Sequence, residues 1–377
     1  MTIFDKLFVG DKSLFEITVE EQKAYLEKLG DEKNDYARSY KQYKGQMYFM
    51  STKKKLFLTI VSAVLAPFIF AYLMLKGLFM KREETYSAIS RATEQAQFIG
   101  NSLFEEYEIN RTCWQQNVAA IHHNDIGYVF HVIIIYWHSP YLALKTVYKI
   151  AKYSSLIYRH RPAAIIVNDE FSFTSSVLTD FCSKHHVKHI NVMHGEKLFS
   201  LRDSYFRFDK CYVWDEHYIN LFRSLNAAPD QFVVELPESM KFDLEKHFVK
   251  KCYADFKYYL GFYNEEEIAS IVKAMEPVMK SGKTVKFRPH PNYSDMGLLR
   301  KYVSEEQIEQ PKMVNILDSI SSTQNVVGVY STVLTQAYFN GQHVIIDDIS
   351  CKKQYESLKD LDYILIDKVG NRLSMYQ

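Results

Sequence analysis

Apolar runs alternate with amphipathic helical patterns along the middle of the chain. The run YVFHVIIIYW, which begins at Tyr128, is continuously apolar and rich in β-branched residues. It predicts a central strand that is covered on both faces. The next predicted elements are a helix from Ser139 to Tyr158 and strands at 164–168, 187–193 and 210–214. Because strand and helix alternate, residues 127–240 are predicted to form a Rossmann-like domain with a parallel sheet.

A second alternation of strand and helix occupies residues 257–377, after a charge-rich stretch at 241–256 that we interpret as a linker. Asn264 and Glu267 have the spacing of a capping box and predict the start of a helix. The other predicted elements are strands at 257–260, 285–287, 325–329, 343–348 and 362–367, and a helix that begins at Ser331 or Thr332. The chain therefore predicts an α/β fold of two Rossmann-like domains that face each other across a cleft.

Residues 1–126 are predicted to form a helical extension that contains one strongly apolar segment, 56–75. This segment has no charged residue and about the length that a helix needs to cross a bilayer. Three lysines precede it, and Lys76, Lys81 and Arg82 follow it. The pattern allows a spanning helix, a helix lying against the cytoplasmic leaflet, or a wholly buried helix. We expect the protein at the cytoplasmic face of the cell membrane, either peripheral or anchored by this single helix.

Charge and cysteine content exclude some classes of protein. The 377 residues carry 46 Lys and Arg against 45 Asp and Glu. A dedicated nucleic-acid binder needs an excess of cations, so nucleic acid is not an expected partner. The five cysteines are scattered and offer no zinc spacing, which favours free thiols in a reducing compartment. No signal peptide, GxGxxG motif or Walker loop is apparent, and we interpret Asp360-Leu361-Asp362 as a solvated strand entry.

Groups that can bind an anion follow three predicted strands of the second domain. They are Gly261, Arg288, His290, Pro291, Ser331 and Thr332. The turn Arg-Pro-His-Pro is rigid because its two prolines fix φ and exclude helix. The helix that begins at Ser331 presents free backbone N–H groups and a positive dipole end. Since ligands bind at the carboxyl ends of parallel strands, these groups predict a phosphate or diphosphate site.

Two strand ends in the first domain carry carboxylates. Asp169 and Glu170 follow the strand at 164–168, and His194-Gly195-Glu196 follows the next strand. A carboxylate at such a position can act as a general base, so Asp169, Glu170 and Glu196 are candidate catalytic residues. The alternative is that Asp169 and Glu170 only cap the next helix. His194 and Gly195 are expected to line the cleft, where Gly195 permits close approach of the backbone.

The His-Pro turn and the later Ser-Thr helix start resemble the donor-nucleotide domain of bacterial GT-B glycosyltransferases that build surface polysaccharides. The resemblance covers roughly residues 160–350. It matches His290-Pro291 to the family's HP motif and Ser331-Thr332 to its Ser/Thr motif, which hold the phosphates and sugar of the donor nucleotide. His194-Gly195 resembles the HG turn of capsule transferases. The chain has Asn-Asp-Glu-Phe where sialyltransferases have an acidic triplet ending in Gly, which argues against a sialic acid donor.

The resemblance implies a metal-independent glycosyltransferase that needs no cofactor, because its nucleotide sugar is a substrate. The whole chain is faintly similar to an enterobacterial O-antigen galactosyltransferase. We therefore expect transfer of galactose from UDP-galactose to a lipid-linked saccharide during assembly of lipopolysaccharide O-antigen or another surface polysaccharide. The alternatives are a CMP-sugar (sialyl or Kdo) transferase, a CDP-glycerol transferase of capsule or teichoic-type polymers, and a non-catalytic scaffold of the same machinery.

Overall fold

The computed structural model describes residues 11–32, 34–91, 98–292 and 294–377. Within them the chain forms two compact units. Unit 1 comprises the residues up to 194 together with 199–237, and unit 2 comprises 195–198 together with 238–377. The change of unit at Pro237-Glu238 lies three residues before the end of the first predicted domain at residue 240.

Unit 1 contains six strands and nine helices of four or more residues among its described residues. In chain order the elements are α1 (Val19–Leu29), α2 (Asp35–Tyr48), α3 (Thr52–Gly77), β1 (Ala88–Ser90), α4 (Asn101–Glu106), β2 (Ile109–Asn110), α5 (Cys113–Gln116), α6 (Ile126–Ile135), α7 (Pro140–His160), β3 (Ala164–Val167), α8 (Ser175–Lys184), β4 (Lys188–Val192), β5 (Lys210–Val213), α9 (Glu216–Ser224) and β6 (Phe232–Val234).

The sheet of unit 1 is parallel, with strand order β2-β1-β3-β4-β5-β6. All four residues of β3 are buried, and its neighbour β4 is buried from His189 onward. Strands covered on both faces read as continuous apolar runs, which is why β3, β4 and β5 were predictable. Their carboxyl ends lie at one edge of the sheet and carry the residues after Val167 and after Val192.

The region 83–126 differs from its prediction. Its sequence predicts a continuation of the helical extension, but Ala88–Ser90 and Ile109–Asn110 form strands of the sheet. Ala88 pairs in register with Ala164 of β3, so this part of the chain belongs to the α/β core. Residues 92–97, which belong to the stretch predicted as helix, lie outside the described residues. Two short strands were missed because two or three residues carry no measurable periodicity.

The apolar run predicted as the first central strand is the helix α6, Ile126–Ile135. Val129 and Val132 are buried at helical spacing, whereas Phe130 and Ile134 are exposed. The prediction was wrong because a short apolar run does not separate a buried strand from a helix by periodicity alone. Tertiary packing favours the helix, because α6 packs against α7 as the first helix of a helical hairpin.

The apolar segment 56–75 forms most of the 26-residue helix α3. It is long and apolar enough to cross a membrane, and it is the one such helix among the described residues. Leu58, Ser62, Leu73 and Gly77 are buried on one side of the helix, while most other side chains are exposed. The alternative of a wholly buried helix is therefore wrong.

Unit 2 contains a four-stranded parallel sheet with strand order β10-β9-β7-β8. Its elements are β7 (Ala254–Tyr259), α10 (Glu265–Lys280), β8 (Val285–Arg288), α11 (Met296–Leu299), α12 (Ile316–Ser321), β9 (Thr323–Gly328), α13 (Thr332–Phe339), β10 (His343–Ile346), α14 (Lys352–Asp360) and α15 (Ile364–Lys368). The capping box is present as predicted, with Asn264 accepting from the N–H of Glu267 and Glu267 reaching back.

Two predictions in unit 2 need correction. The run 362–367, predicted as a strand, contributes the helix α15. Asp360 ends α14, and Asp362 has φ of 59°, so the Asp-x-Asp stretch breaks one helix before the next and enters no strand. In addition, β7 begins at Ala254, inside the predicted linker. With these corrections, the predicted α/β class with two parallel sheets is confirmed.

Candidate functional site

The carboxyl edge of the unit 2 sheet brings together three of the predicted sites. β7 lies between β8 and β9, so the residues that follow these strands share one edge. The backbone N–H of His290 donates to Ser294 Oγ at 2.8 Å, and Ser294 Oγ donates to the carbonyl oxygen of Gly261 at 2.7 Å. Ser331 follows β9 at the same edge. Ser294 was not predicted, because its role depends on the folded path of two loops.

The His290 imidazole is oriented by its own turn. Its Nδ1 accepts a hydrogen bond from the backbone N–H of Asn292 at 3.1 Å. Burial lowers the pKa of His290, because a partly desolvated site disfavours the charged form. A neutral imidazole that accepts at Nδ1 carries its proton on Nε2, so His290 is a hydrogen-bond donor at neutral pH. Pro291 is exposed in this turn and supplies rigidity without a polar group.

Ser331 is the N-cap of α13, as predicted. Its φ is −171° and its Oγ accepts from the N–H of Val333 at 3.2 Å. Thr332 is the first helical residue. The close approach of β9 to its neighbour needs Gly328, since a Cβ there would lie 3.3 Å from the carbonyl oxygen of Tyr259. The helix start therefore presents backbone donors at the same edge as His290.

Arg288 does not take the predicted role at a phosphate. Its guanidinium is buried, and it donates to Glu309 Oε1 at 2.6 Å and to the Val314 carbonyl at 2.9 Å. Lys257 Nζ, also buried, donates to Glu309 Oε2 at 2.6 Å. Burial alone would raise the pKa of Glu309, but Lys257 and Arg288 hold it below its ordinary value. Arg288 is thus a structural cation of the core, because a buried charge needs a partner and Glu309 supplies it.

The carboxyl edge of the unit 1 sheet carries Asp169, which is buried and held by cations. Arg91 forms an ion pair with Asp169 Oδ1, and Lys149 Nζ lies 3.0 Å from Oδ2. The backbone N–H of Asp169 donates to Asn191 Oδ1 at 2.7 Å. A carboxylate bonded to two cations is a poor proton acceptor, so Asp169 is better suited to fixing the loop than to acting as a general base.

Glu170 and His194 form a carboxylate and imidazole pair at this edge. Glu170 is completely buried, and its Oε2 accepts from Asn191 Nδ2 at 3.2 Å. His194 Nδ1 lies 3.4 Å from Glu170 Oε1, while the His194 side chain is 27% exposed. Gly195 has φ of 68°, which only glycine adopts without strain, so the turn after His194 depends on it. His194 Nδ1 is within ion-pair distance of Glu170 but is not aligned with it for a hydrogen bond. A part-exposed histidine beside a buried carboxylate can accept a proton, because the carboxylate stabilises the imidazolium.

Sequence reasoning missed the cations around Asp169. Lys145 and Lys149 lie one turn apart on α7, and Arg91 follows β1. Burial, assisted by the charge of Arg91, lowers the pKa of Lys145 to about 8 and lowers that of Lys149 well below its ordinary value. The four-residue spacing of the two lysines was visible in the sequence. The contact of Lys149 with Asp169 was not, because it depends on how α7 packs beside the sheet.

Glu196 is assigned to a different unit from Asp169 and Glu170. It belongs to unit 2, where its Oε2 accepts a 2.5 Å hydrogen bond from Thr335 Oγ1 of α13. The hydrogen bond to Thr335 holds the Glu196 side chain against α13. A carboxylate near the start of a helix is also stabilised by the helix dipole. Glu196 therefore supports α13 and is not grouped with the predicted catalytic carboxylates.

Among the described ranges, which omit residues 1–10, 33, 92–97 and 293, no group of three or more His, Cys, Asp or Glu residues could hold a metal ion. The arrangement offers instead a neutral imidazole and a helix start on one sheet, and a histidine and carboxylate pair on the other. The first can hold an anion, and the second can accept a proton.

No protein-family model and no curated protein matches this chain. Solved structures are similar in fold. A wall teichoic acid polymerase, TagF, has 9% identity and a TM-score of 0.43, covering 91% of this chain and 86% of TagF. The glycotransferase of kitacinnamycin has 8% identity and a TM-score of 0.43, covering 78% and 86%. UDP-GlcNAc 2-epimerase from Neisseria meningitidis has 12% identity and a TM-score of 0.42, covering 69% and 81%. Likeness at this level carries no argument about activity.

Proposed function

We propose that the chain is a glycosyltransferase that uses a nucleotide-sugar donor. The observation that carries the proposal is the shared edge of β8, β7 and β9, where His290, Gly261 and Ser331 follow three neighbouring strands. Crevices at the carboxyl ends of parallel strands are where α/β folds bind nucleotides. The HP and Ser/Thr motifs of the sequence lie at this edge, which is where the family resemblance requires them.

Unit 2 is proposed to bind the donor diphosphate without a metal. The backbone N–H groups at the start of α13 and the Nε2–H of His290 are the donors for the phosphate oxygens. Arg288 is not assigned this role, because its guanidinium donates to Glu309 and to the Val314 carbonyl within the core. The negative charge that develops on the leaving diphosphate is then stabilised by preorganised neutral dipoles, which need no reorganisation during the reaction.

Unit 1 is proposed to supply the general base, and His194 takes this role in preference to Asp169. The acceptor hydroxyl gives its proton to His194, and its oxygen forms a bond to the anomeric carbon. The bond from that carbon to the phosphate oxygen breaks, and the nucleoside diphosphate leaves with the electron pair. Glu170, 3.4 Å from Nδ1, stabilises the imidazolium that forms.

The identities of the donor and the acceptor are proposed from the sequence alone. We propose UDP-galactose as donor and a lipid-linked saccharide at the cytoplasmic face of the membrane as acceptor, in assembly of O-antigen or another surface polysaccharide. CMP-sugars and CDP-glycerol are the competing donors. A scaffold without turnover is the competing class.

A donor screen tests the proposal. Purified protein is heated with UDP, CMP, CDP or GDP, and the same is done with His290→Ala. A ligand that binds the folded state raises the melting temperature, so the correct nucleotide should stabilise the wild type and not the variant. His343→Ala is the matched control, because His343 begins β10 at the opposite edge of the same sheet. If none of the nucleotides shifts the wild type at millimolar concentration, the scaffold replaces the enzyme.

A further inference from the structure

Exposed apolar side chains of unit 1 concentrate on two helices, α3 and α6, which both pack against α7. We call these side chains the apolar face. Its members on or just after α3 are Leu56, Phe57, Ile60, Val64, Leu65, Phe68, Tyr72, Leu75, Leu78 and Phe79, and its members on or just after α6 are Phe130, Ile134 and Trp137. Soluble monomers seldom expose so many large apolar groups together, so the face is a binding surface.

The other side of α3 packs against the rest of unit 1 near both ends of the helix. Leu58 and Ser62 are buried near its beginning, and Leu73 and Gly77 are buried near its end. Gly77 packs so closely that a Cβ would lie 1.7 Å from the carbonyl oxygen of Ile121. Ile121 also donates its N–H to the carbonyl oxygen of Leu73 at 3.0 Å. Helix α3 cannot cross a bilayer without breaking these contacts, because α7 and residue 121 belong to the folded α/β core.

Positive charge borders the apolar face at both ends of α3. Lys53, Lys54 and Lys55 lie in its first turn, where Lys54 pairs with Asp11 at 3.2 Å. Lys76, Lys81 and Arg82 lie at or after its last turn. Arg82 also lines a cavity of about 400 Å³ with Arg161 and the histidines at 122, 123 and 185. Cations beside an exposed apolar helix match the anionic headgroups at the surface of a membrane leaflet.

We propose that unit 1 binds an anionic membrane by inserting the apolar face into one leaflet, with α3 lying in the membrane plane. The exposed side chains of α6 are assigned to the same leaflet as part of this proposal. A second copy of the chain is a poorer occupant. Both ends of α3 are cationic, so two copies paired through this face would oppose like charges in either orientation. The proposal does not depend on transferase activity, and its test measures membrane binding alone.

The first experiment is flotation of the full-length protein with vesicles of phosphatidylethanolamine and phosphatidylglycerol, and with vesicles of phosphatidylcholine alone. The protein should float with the anionic vesicles and bind the neutral ones more weakly. Phe68→Glu on α3 and Ile134→Glu on α6 should each lower binding roughly tenfold or more, because each replaces an inserted apolar side chain with a charge that anionic lipids repel. The exposures of Phe68 and Ile134 are 73% and 68%.

Met313→Glu is the matched control, since Met313 is 83% exposed in unit 2 and should leave vesicle binding unchanged. Loss of binding by Phe68→Glu alone, with Ile134→Glu unchanged, would overturn the assignment of α6. Unchanged binding in both variants, or a stable dimer that fails to bind vesicles, would overturn the membrane proposal.

Trp137 provides an intrinsic probe of insertion. It is 76% exposed, whereas Trp114 and Trp214, the other two tryptophans, are buried. Emission should shift to the blue with anionic vesicles and be quenched by brominated lipid, and Trp137→Phe should abolish both changes.

Orientation is tested with a cysteine introduced at Ser51→Cys or at Lys81→Cys, in a Cys252→Ser background whose four remaining native cysteines are buried. An impermeant maleimide added to vesicle-bound protein should label both positions, because an in-plane helix keeps both ends outside. Protection of one position would mean that α3 spans the bilayer and would overturn the proposed orientation.

Discussion

The carboxyl edges of the two sheets carry chemically different groups. At the unit 1 edge, Arg91 and Lys149 pair with Asp169, and the His194 imidazole lies beside the buried Glu170 carboxylate. At the unit 2 edge, the groups are a neutral imidazole, a glycine and a helix start. The arginine predicted for that edge turns inward instead. The comparison shows that a charged residue at a strand end is a functional candidate only when the core does not already pair it.

The difference between the two edges also suggests a different step of the proposed reaction for each edge. A part-exposed histidine beside a buried carboxylate suits proton transfer, because the carboxylate stabilises the imidazolium that forms. Uncharged donors at a fixed helix start suit a phosphate, because they bind it without a change of protonation. Substitutions at His194, Glu309, His189 and Ser331, with their controls, follow from the largest expected effect to the smallest.

Replacing His194 with Ala should lower kcat by about 10²- to 10⁴-fold, because it removes the proposed base. Nucleotide affinity should stay within about twofold, since unit 2 is unchanged. Steady-state kinetics and nucleotide titration measure both. Glu170→Gln should give a smaller loss of kcat and an altered pH profile. Normal turnover in His194→Ala would mean that another residue is the general base. The proposed difference between the two edges would then be wrong.

Replacing Glu309 with Ala should lower the free energy of unfolding by about 3–5 kcal/mol, because it leaves Lys257 and Arg288 buried and unpaired. Thermal or urea unfolding measures this. Glu305→Ala is the control, since its pair with Arg300 is exposed and should be worth less than about 1 kcal/mol. If Glu309→Ala kept its stability but lost nucleotide binding, Arg288 would belong to the phosphate site after all.

Replacement of His189, which lies on β4 ahead of His194 in the chain, should change only the stability of the fold. His189 is fully buried between Tyr153 OH at 2.9 Å and Thr179 Oγ1 at 2.8 Å, and burial lowers its pKa to about 3. Below about pH 6.5 the unfolded state gains a proton that the folded state does not take, so stability falls as pH decreases towards 3.

The variant His189→Gln should flatten this decline by up to about 1.4 kcal/mol per pH unit, while keeping hydrogen bonds. Urea unfolding at a series of pH values, compared with wild type, measures the difference. Equal slopes in the two proteins would show that His189 takes its proton at an ordinary pH in the folded state.

Replacing Ser331 with Ala should cost about 1 kcal/mol of stability through loss of the N-cap, and Ser331→Gly should cost less. If Ser331 also binds phosphate, both variants should lose nucleotide affinity by a similar factor. Unfolding and titration separate the two roles. A loss of affinity in Ser331→Ala that Ser331→Gly restores would reduce Ser331 to a cap alone.

Much of the fold was predictable, because buried parallel strands are continuous apolar runs and helices carry local start signals. The strands at 187–193 and 285–287 and the capping box at Asn264 are examples. β1 and β2 were missed because they are too short for periodicity, and α6 was misassigned because its apolar run is equally compatible with strand and helix.

Of the candidate site, the positions were more predictable than the roles. Strand ends followed from the pattern, which placed Gly261, His290, Ser331, Glu170 and His194 at sheet edges. The ion-pair partners of these residues could not be predicted, because Asp169 pairs with Lys149 and Arg91, which lie on elements distant in the sequence. Glu196 likewise follows β4 closely in the chain, yet its hydrogen-bond partner Thr335 lies 139 residues further along.

The sequence by itself determined which segments could be strands or helices, where a membrane-compatible helix lies, and which residues stand at strand ends, because these follow from local periodicity and backbone preference. The tertiary structure alone decided which charges are paired within the core. It also decided that one side of α3 is attached to unit 1 while the other is exposed. Such outcomes depend on contacts between distant segments, and desolvation makes those contacts energetically decisive.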